Sequence, residues 1–173
     1  GNPSRARHRG GYWDRGDPGS FLLRDLSLEI TSQLSGARRV AWMETPRAPV
    51  HIRESLDLEI CQGASGGENR PSGNHARRCT GVPLTLPGYR VRCGDGETDG
   101  NRASPVVAVM SEGRALACAL VDCWQRCPRA LQVDGNLIRV GLLPAQHGDL
   151  HELQAGEELT RVIWLECGQR LQN

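Results

Sequence analysis

The chain has 173 residues, enough for one domain with a well-formed hydrophobic core. Its 21 basic and 20 acidic residues nearly cancel, so a net charge of +1 implies neither a nucleic-acid partner nor a membrane partner. Every basic residue is an arginine, which excludes Schiff-base chemistry and a lysine general base within this chain. No run of 18 apolar residues is present, and no signal peptide is visible, so the localisation stays open.

Residues 1–20 are rich in glycine, proline and arginine and have no hydrophobic period. Such a segment buries too little apolar surface to fold by itself, so we expect a flexible, disordered N-terminal tail. The hydrophobic pattern starts at Phe21, and the predicted folded domain spans residues 21–169.

Short strands dominate that domain. Apolar and polar residues alternate over residues 26–30 and 50–60, with Glu54 marking a bulge or bend in the latter run, and residues 38–43 form another short strand-like run. A polar stretch at 62–78 predicts a long surface loop. Six further strand-like runs follow at residues 82–86, 89–92, 105–110, 116–123, 137–143 and 160–167. Helical periodicity of three turns is absent, so the pattern predicts an all-β fold, an antiparallel β-sandwich of about seven to ten strands.

Metal and cofactor motifs are weak. The seven cysteines include no CxxC pair, and we expect mostly reduced thiols, with a Cys79–Cys93 disulfide as the alternative. The segment GDGETDGNR resembles half of a calcium loop, but a hairpin turn explains the same residues. His147, Asp149 and His151 would share one face if their segment were extended, which leaves a bound ion open. We predict no cofactor.

The richest chemistry lies between residues 122 and 167. Trp124, Gln125, Arg126 and Arg129 surround Pro128, which interrupts the ladder or places the run at a sheet edge. A polar link, HGDLHELQAGEEL, follows a strand later. An aromatic ring, an amide and two guanidinium groups suit an acidic sugar, because Arg binds a carboxylate with two parallel hydrogen bonds. The alternative interpretation places Trp124 in the core and leaves both arginines in solvent.

Two motifs here carry a family resemblance. NRASPVVAVMSEGRALACALVDCWQRCPRALQVDGNLIRVGLLP and HELQAGEELTRVIWLECG resemble the central β-sandwich domain of the YetA-like proteins, the exo-rhamnogalacturonan lyase family. The resemblance implies an N-terminal β domain and a C-terminal α/α toroid in whole members. Neither fits in this chain, so we expect a sandwich that elsewhere works beside a toroid.

The resemblance also implies site residues. Trp124 and Gln125 match the WQ pair, Arg129 matches a basic position, and the HELQ.GE motif is matched by His151, Glu152, Gln154 and Glu157. Such lyases cleave by β-elimination, which needs a neutralised uronate carboxylate, a base and an acid. The family pattern marks these positions but not their roles, so the roles follow from residue type: we predict that His151, Glu152 and Arg126 are catalytic and that Trp124, Gln125, Arg129, Gln154 and Glu157 bind substrate.

Two other functions stay open. The first is non-catalytic carbohydrate binding, with Trp124 or Trp164 as the stacking platform. The second is a structural role, with self-association through bare edge strands. For the isolated chain we expect little or no turnover, because half of the cleft would belong to the missing toroid domain. The predicted partner is an acidic polysaccharide or oligosaccharide.

Overall fold

The computed structural model describes residues 21–36, 38–54, 57–66, 86–148, 150–153, 156 and 158–169, so the predicted tail lies outside the described residues. Thirteen strands form the described chain: β1 (Phe21–Leu23), β2 (Leu26–Thr31), β3 (Arg38–Met43), β4 (His51–Arg53), β5 (Asp57–Gln62), β6 (Tyr89–Cys93), β7 (Gly96–Gly100), β8 (Val106–Ser111), β9 (Arg114–Leu120), β10 (Arg129–Asp134), β11 (Leu137–Leu143), β12 (His151–Leu153) and β13 (Ile163–Gln169). One short 3-10 helix spans Ala145–His147. No helix in these ranges has the length and hydrophobicity to cross a bilayer.

Two antiparallel sheets build the domain. The larger has six strands in the order β2-β11-β10-β5-β6-β7, and the smaller has five in the order β13-β9-β8-β3-β4. β1 and β12 form a separate pair. Buried valine, leucine and isoleucine residues from both sheets share one core. The predicted all-β antiparallel sandwich is confirmed, and ten of its strands have five residues or more.

Inward-facing residues form regular rows across the six-stranded sheet. Leu131 pairs with Ile60 and with Val140, and Ile60 pairs with Val91. All four side chains are buried. Alternation of side chains along each strand places apolar residues in this core and polar ones on the outer face. The period-two pattern in the sequence has this physical origin.

The sequence run at 50–60 is two strands rather than one bent strand. β4 lies in the five-stranded sheet, where it pairs with β3, whereas β5 lies in the six-stranded sheet between β10 and β6. The chain changes sheets after Arg53. Before the break the apolar residues of the run face outward, with Val50 60% and Ile52 46% exposed, whereas Leu58 and Ile60 on β5 are buried in the core. The predicted bend near Glu54 is therefore a crossover between sheets.

Pro128 precedes β10, which lies in the interior of the six-stranded sheet between β11 and β5. The proline thus interrupts the chain before the ladder begins, and the alternative of an edge strand is wrong. β10 itself was absent from the predicted strands. So was β7, where GETDG was expected to be part of a turn. The hairpin turn there is limited to Gly94 and Asp95.

The two ends of the sandwich differ. At the end that we call the turn end, two-residue hairpin turns at residues 94–95, 112–113 and 135–136 join neighbouring strands. At the opposite end, which we call the loop end, the connections are longer and span residues 43–51, 62–89, 100–106, 120–129 and 143–163. Long connections on a rigid sheet scaffold commonly carry binding residues.

The edge strands carry exposed apolar residues. Trp164 and Leu165 on β13 are 68% and 49% exposed, and Leu26 and Leu28 are exposed on β2. An exposed edge offers unpaired backbone groups to another strand. Self-association through these edges stays a prediction, which sedimentation at several protein concentrations would test.

Candidate functional site

The sequence-predicted residues that the structure describes lie at the loop end. Trp124, Gln125 and Arg126 lie on the turn between β9 and β10, and Arg129 is the first residue of β10. His151 and Glu152 are on β12, after the connection that leaves β11. Gln154, Glu157 and Asp149 lie outside the described residues.

The turn that follows β9 displays Trp124, Gln125 and Arg126 together. The Arg126 amide donates to the Asp122 carbonyl at 3.0 Å, which closes one helical turn. The Arg126 guanidinium lies 3.6 Å from the Asp122 carboxylate, and both side chains are about half exposed. Gln125 is exposed and Trp124 is partly buried. The turn therefore presents a ring, an amide and a guanidinium to solvent.

Arg102 joins this surface from the connection between β7 and β8. Its guanidinium carbon lies 4.3 Å from the centre of the Trp124 ring, a cation–π geometry. Its Nε also donates to the Ser65 carbonyl at 3.1 Å. We call Arg102, Trp124, Gln125 and Arg126 the Trp124 surface. Neither Arg102 nor its stacking was predicted, because the two residues are distant in sequence.

Arg129 lies beneath that surface, inside the sandwich. Its neighbour in register is Gln62 on β5, and Gln62 is in register with Tyr89 on β6. Arg129 and Gln62 are fully buried, two positions from the apolar row of Leu131 and Ile60. The inner face thus ends in a polar row, Arg129–Gln62–Tyr89, at the loop end.

The hydrogen-bonding capacity of Gln62 is used within the protein. Its Nε2 donates to the carbonyls of Ala64 and of Asn101, the latter at 3.0 Å, and its Oε1 accepts from the Ala103 amide at 2.8 Å. A buried amide with these partners fixes the connections around it. Gln62 is therefore a structural residue that ties β5 to two connections of the loop end, the one that contains Ala64 and the one that contains Asn101 and Ala103.

Arg129 differs from Gln62. Among the described residues, no hydrogen-bond partner lies within reach of its Nε or of either terminal nitrogen. The pKa of Arg129 is lowered to about 10, first by burial and then by the positive charge of Arg161, with a smaller lowering from Arg126 and opposing effects from Cys123 and Asp122. A buried guanidinium thus sits in surroundings with excess positive charge.

His151 is buried, and its ring makes a hydrogen bond and a stacking contact within the protein. It is 7% exposed, and its Nε2 lies 3.0 Å from the Pro144 carbonyl, which can only accept, so Nε2 donates. The ring stacks on His147 with 5.1 Å between ring centres. Glu152, the next residue on the strand, points to the opposite face. The two predicted catalytic residues on β12 therefore do not face one common pocket.

A second polar cluster at the loop end was missed. The Trp42 indole donates to Glu44 at 3.1 Å, and His51 lies 3.5 Å from the same carboxylate oxygen while stacking on Trp42. Burial, then the charge of Glu44, raises the pKa of Tyr89. The sequence signal was present, because Glu44 continues the inward positions of Val40 and Trp42.

Metal ligands do not converge in the part of the chain that the structure describes: no group of three or more His, Cys, Asp or Glu side chains there has the spacing to hold an ion. The six cysteines in that part carry free thiols, and Cys79 of the predicted disulfide lies outside it. Burial raises the pKa of Cys61 and Cys123 to about 12 and that of Cys118 to about 11. These thiols stay protonated near neutral pH, so they are poor nucleophiles.

Comparisons with known proteins add no relative. No protein-family model, curated protein or solved structure matches the chain. The resemblance to the YetA-like lyases stays a prediction from the two motifs. The geometry of the loop end therefore carries the functional argument by itself.

Proposed function

We propose that this protein binds an acidic carbohydrate at the loop end of its β-sandwich. The observation that supports the proposal is the Trp124 surface, where one turn and a neighbouring connection bring an aromatic ring, an amide and two guanidinium groups together. Sugar sites combine these groups for a physical reason. The apolar face of a pyranose packs on an aromatic ring, while polar groups around the ring bind hydroxyl and carboxylate oxygens.

The charge of the surface favours an acidic sugar. Arg102 and Arg126 are positive, and Asp122 is the carboxylate nearest to Arg126. The contact between Arg126 and Asp122 is 3.6 Å long and half exposed, so it contributes little to stability. A uronate carboxylate can replace it with two parallel hydrogen bonds from the Arg126 guanidinium.

Binding without cleavage fits the described residues better than catalysis. β-elimination needs a base beside the sugar, but the predicted base His151 is buried and donates to the Pro144 carbonyl. Glu152 points to the other face of β12. The lyase hypothesis therefore predicts little or no turnover by this chain, and the binding proposal does not depend on turnover.

The test is calorimetric titration with digalacturonate, a rhamnogalacturonan fragment and neutral oligosaccharides of equal length. We expect the wild type to prefer the acidic ligands. Trp124→Ala should weaken every interaction about tenfold, about 1.4 kcal/mol, through loss of the stacking face. Arg126→Ala should remove most of the preference for acidic ligands. The matched controls are Trp164→Ala, at an exposed Trp on β13, and Arg114→Ala, at an exposed Arg of the turn end.

The outcomes separate the candidate functions. No binding to any ligand would contradict the proposal, and loss of binding in Trp164→Ala alone would move the site to the β13 edge. A rise in unsaturated-uronate absorbance that His151→Ala abolishes would instead support the lyase hypothesis.

A further inference from the structure

The strongest unexplained feature of the molecule is Arg129. It is the largest fully buried side chain of the described residues, and all three guanidinium nitrogens are without a hydrogen-bond partner there. A buried charge without a partner is strongly unfavourable, because the protein interior does not replace the lost hydration. A side chain held this way indicates that something other than the described residues completes its surroundings.

The charged groups around Arg129 do not neutralise it. Arg126 and Arg161 are positive, and Asp122 is the one carboxylate among the described residues that influence the pKa of Arg129. Asp122 is about half exposed and lies against Arg126. Cys123 is buried and protonated, and the oxygen of the neighbouring Gln62 accepts from the Ala103 amide. The balance of charge next to Arg129 is therefore positive.

We propose that Arg129 is the anchor of an internal anion site whose ligand is a carboxylate group. The guanidinium has a planar fork of N–H donors, and a carboxylate meets that fork with two parallel hydrogen bonds. Arg126 and Arg161 add favourable charge on the same side. The polar row that contains Arg129 closes the loop end of the core, so the anion would lie between the two sheets.

This site lies deeper than the Trp124 surface and has its own ligand chemistry. The carboxylate has two sources, a free small carboxylate or the uronate of a bound sugar. Only the second source rests on the proposed function. Acetate and galacturonate are therefore the two probes, because they share the carboxylate and differ in the sugar.

The experiment is thermal denaturation of the full chain at constant ionic strength, with sodium chloride replaced stepwise by sodium acetate or sodium galacturonate. We expect the melting temperature of the wild type to rise with acetate concentration, since a ligand that binds only the folded state stabilises it. Arg129→Met should lose this response. Without acetate it should melt no lower than the wild type, because an apolar side chain of similar length removes an unpaired buried charge.

Two further variants keep the test decisive. Arg114→Met, at an exposed Arg of the turn end, should keep the full acetate response, which separates an internal site from general surface charge. Arg129→Lys keeps the charge but lacks the planar fork, so it should show a response between those of the wild type and Arg129→Met. It also covers the case in which Arg129→Met fails to fold.

Two results would overturn the proposal. One is an equal response to acetate in the wild type and in both Arg129 variants. The other is an anion-free melting temperature of Arg129→Met well below that of the wild type, which would mean that the chain itself neutralises Arg129.

The two proposals fail separately. Stabilisation by acetate without binding of any oligosaccharide would support the anion site and contradict carbohydrate binding. Oligosaccharide binding, together with an acetate response that is equal in the wild type and in the Arg129 variants, would support carbohydrate binding and contradict the anion site.

Discussion

The two ends of the sandwich use the same alternating strands for different purposes. At the turn end, two-residue hairpins join β6 to β7, β8 to β9 and β10 to β11, and the inward row contains Val133 and Leu58. At the loop end, the corresponding inward row contains Arg129, Gln62 and Tyr89. One end therefore closes the core with apolar side chains, and the other closes it with polar ones.

Because of this difference, a single strand carries both residues that stabilise the fold and a residue that is a candidate for function. β10 places Leu131 and Val133 in the apolar core and Arg129 in the polar row, all on one face. Apolar burial stabilises the fold in proportion to the area removed from water, whereas a buried guanidinium without a partner opposes folding. Residues that oppose folding are candidates for a functional role.

The largest effect should come from deleting apolar volume next to the polar row. Leu131→Ala is expected to lower the free energy of unfolding by about 2–5 kcal/mol, because it leaves a cavity in a fully buried position. Arg129→Met, two residues earlier on the same face, should cost nothing. Urea denaturation of both variants measures the contrast. Equal losses would show that Arg129 supports the fold as Leu131 does.

Alkaline pH should destabilise the protein through its buried thiols. Burial raises the folded-state pKa of Cys61, Cys118 and Cys123 above the ordinary value of 9.0. Below pH 9 both states are protonated and stability does not depend on these thiols. From pH 9 to 10 the unfolded chain loses protons that the folded chain keeps, so stability falls, approaching about 1.4 kcal/mol per pH unit for each thiol.

Denaturation at several pH values checks this slope. Cys123→Ala should remove the contribution of one buried thiol to this slope. The range stops at pH 10 because the pKa of Arg129 is lowered to about 10, and its deprotonation above that pH would act in the opposite direction. A stability that is flat from pH 9 to 10 would contradict the burial of these thiols.

One glycine at each end of the sandwich allows the two ends to be compared through single Gly→Ala substitutions, which have the smallest expected effects on stability. At the loop end, a Cβ on Gly88 would overlap the Gly100 carbonyl and crowd the Asn101 backbone. Gly88→Ala should therefore cost about 1–3 kcal/mol, since backbone must move. At the turn end, Gly135 has φ +57° and open space around it. Gly135→Ala should cost only about 1 kcal/mol, from the left-handed backbone.

Thermal melts of the two glycine variants measure this contrast. A similar small fall in melting temperature for both variants would show that the backbone at the loop end can shift at little cost in stability. A larger loss in Gly135→Ala would reverse the comparison and place the more rigid backbone at the turn end.

Several parts of the candidate site followed from local sequence. Trp124, Gln125 and Arg126 are adjacent, so any turn that exposes one brings the others near it. His151 and Glu152 were both predicted to be catalytic from the HELQ.GE match and their residue types, but strand geometry points adjacent side chains to opposite faces. Arg102 stacks on Trp124 from another connection, and only the packing of the sheets brings them together.

The sequence by itself determined the all-β class, because alternation with period two follows from the pleat of each strand and needs no partner. It also predicted a hairpin turn within the segment GDGETDGNR, which the structure limits to Gly94 and Asp95. Only the tertiary structure decided that residues 50–60 divide between two sheets and that Arg129 faces the interior rather than solvent. These features depend on which strands pair, and pairing is set by contacts between residues far apart in the chain.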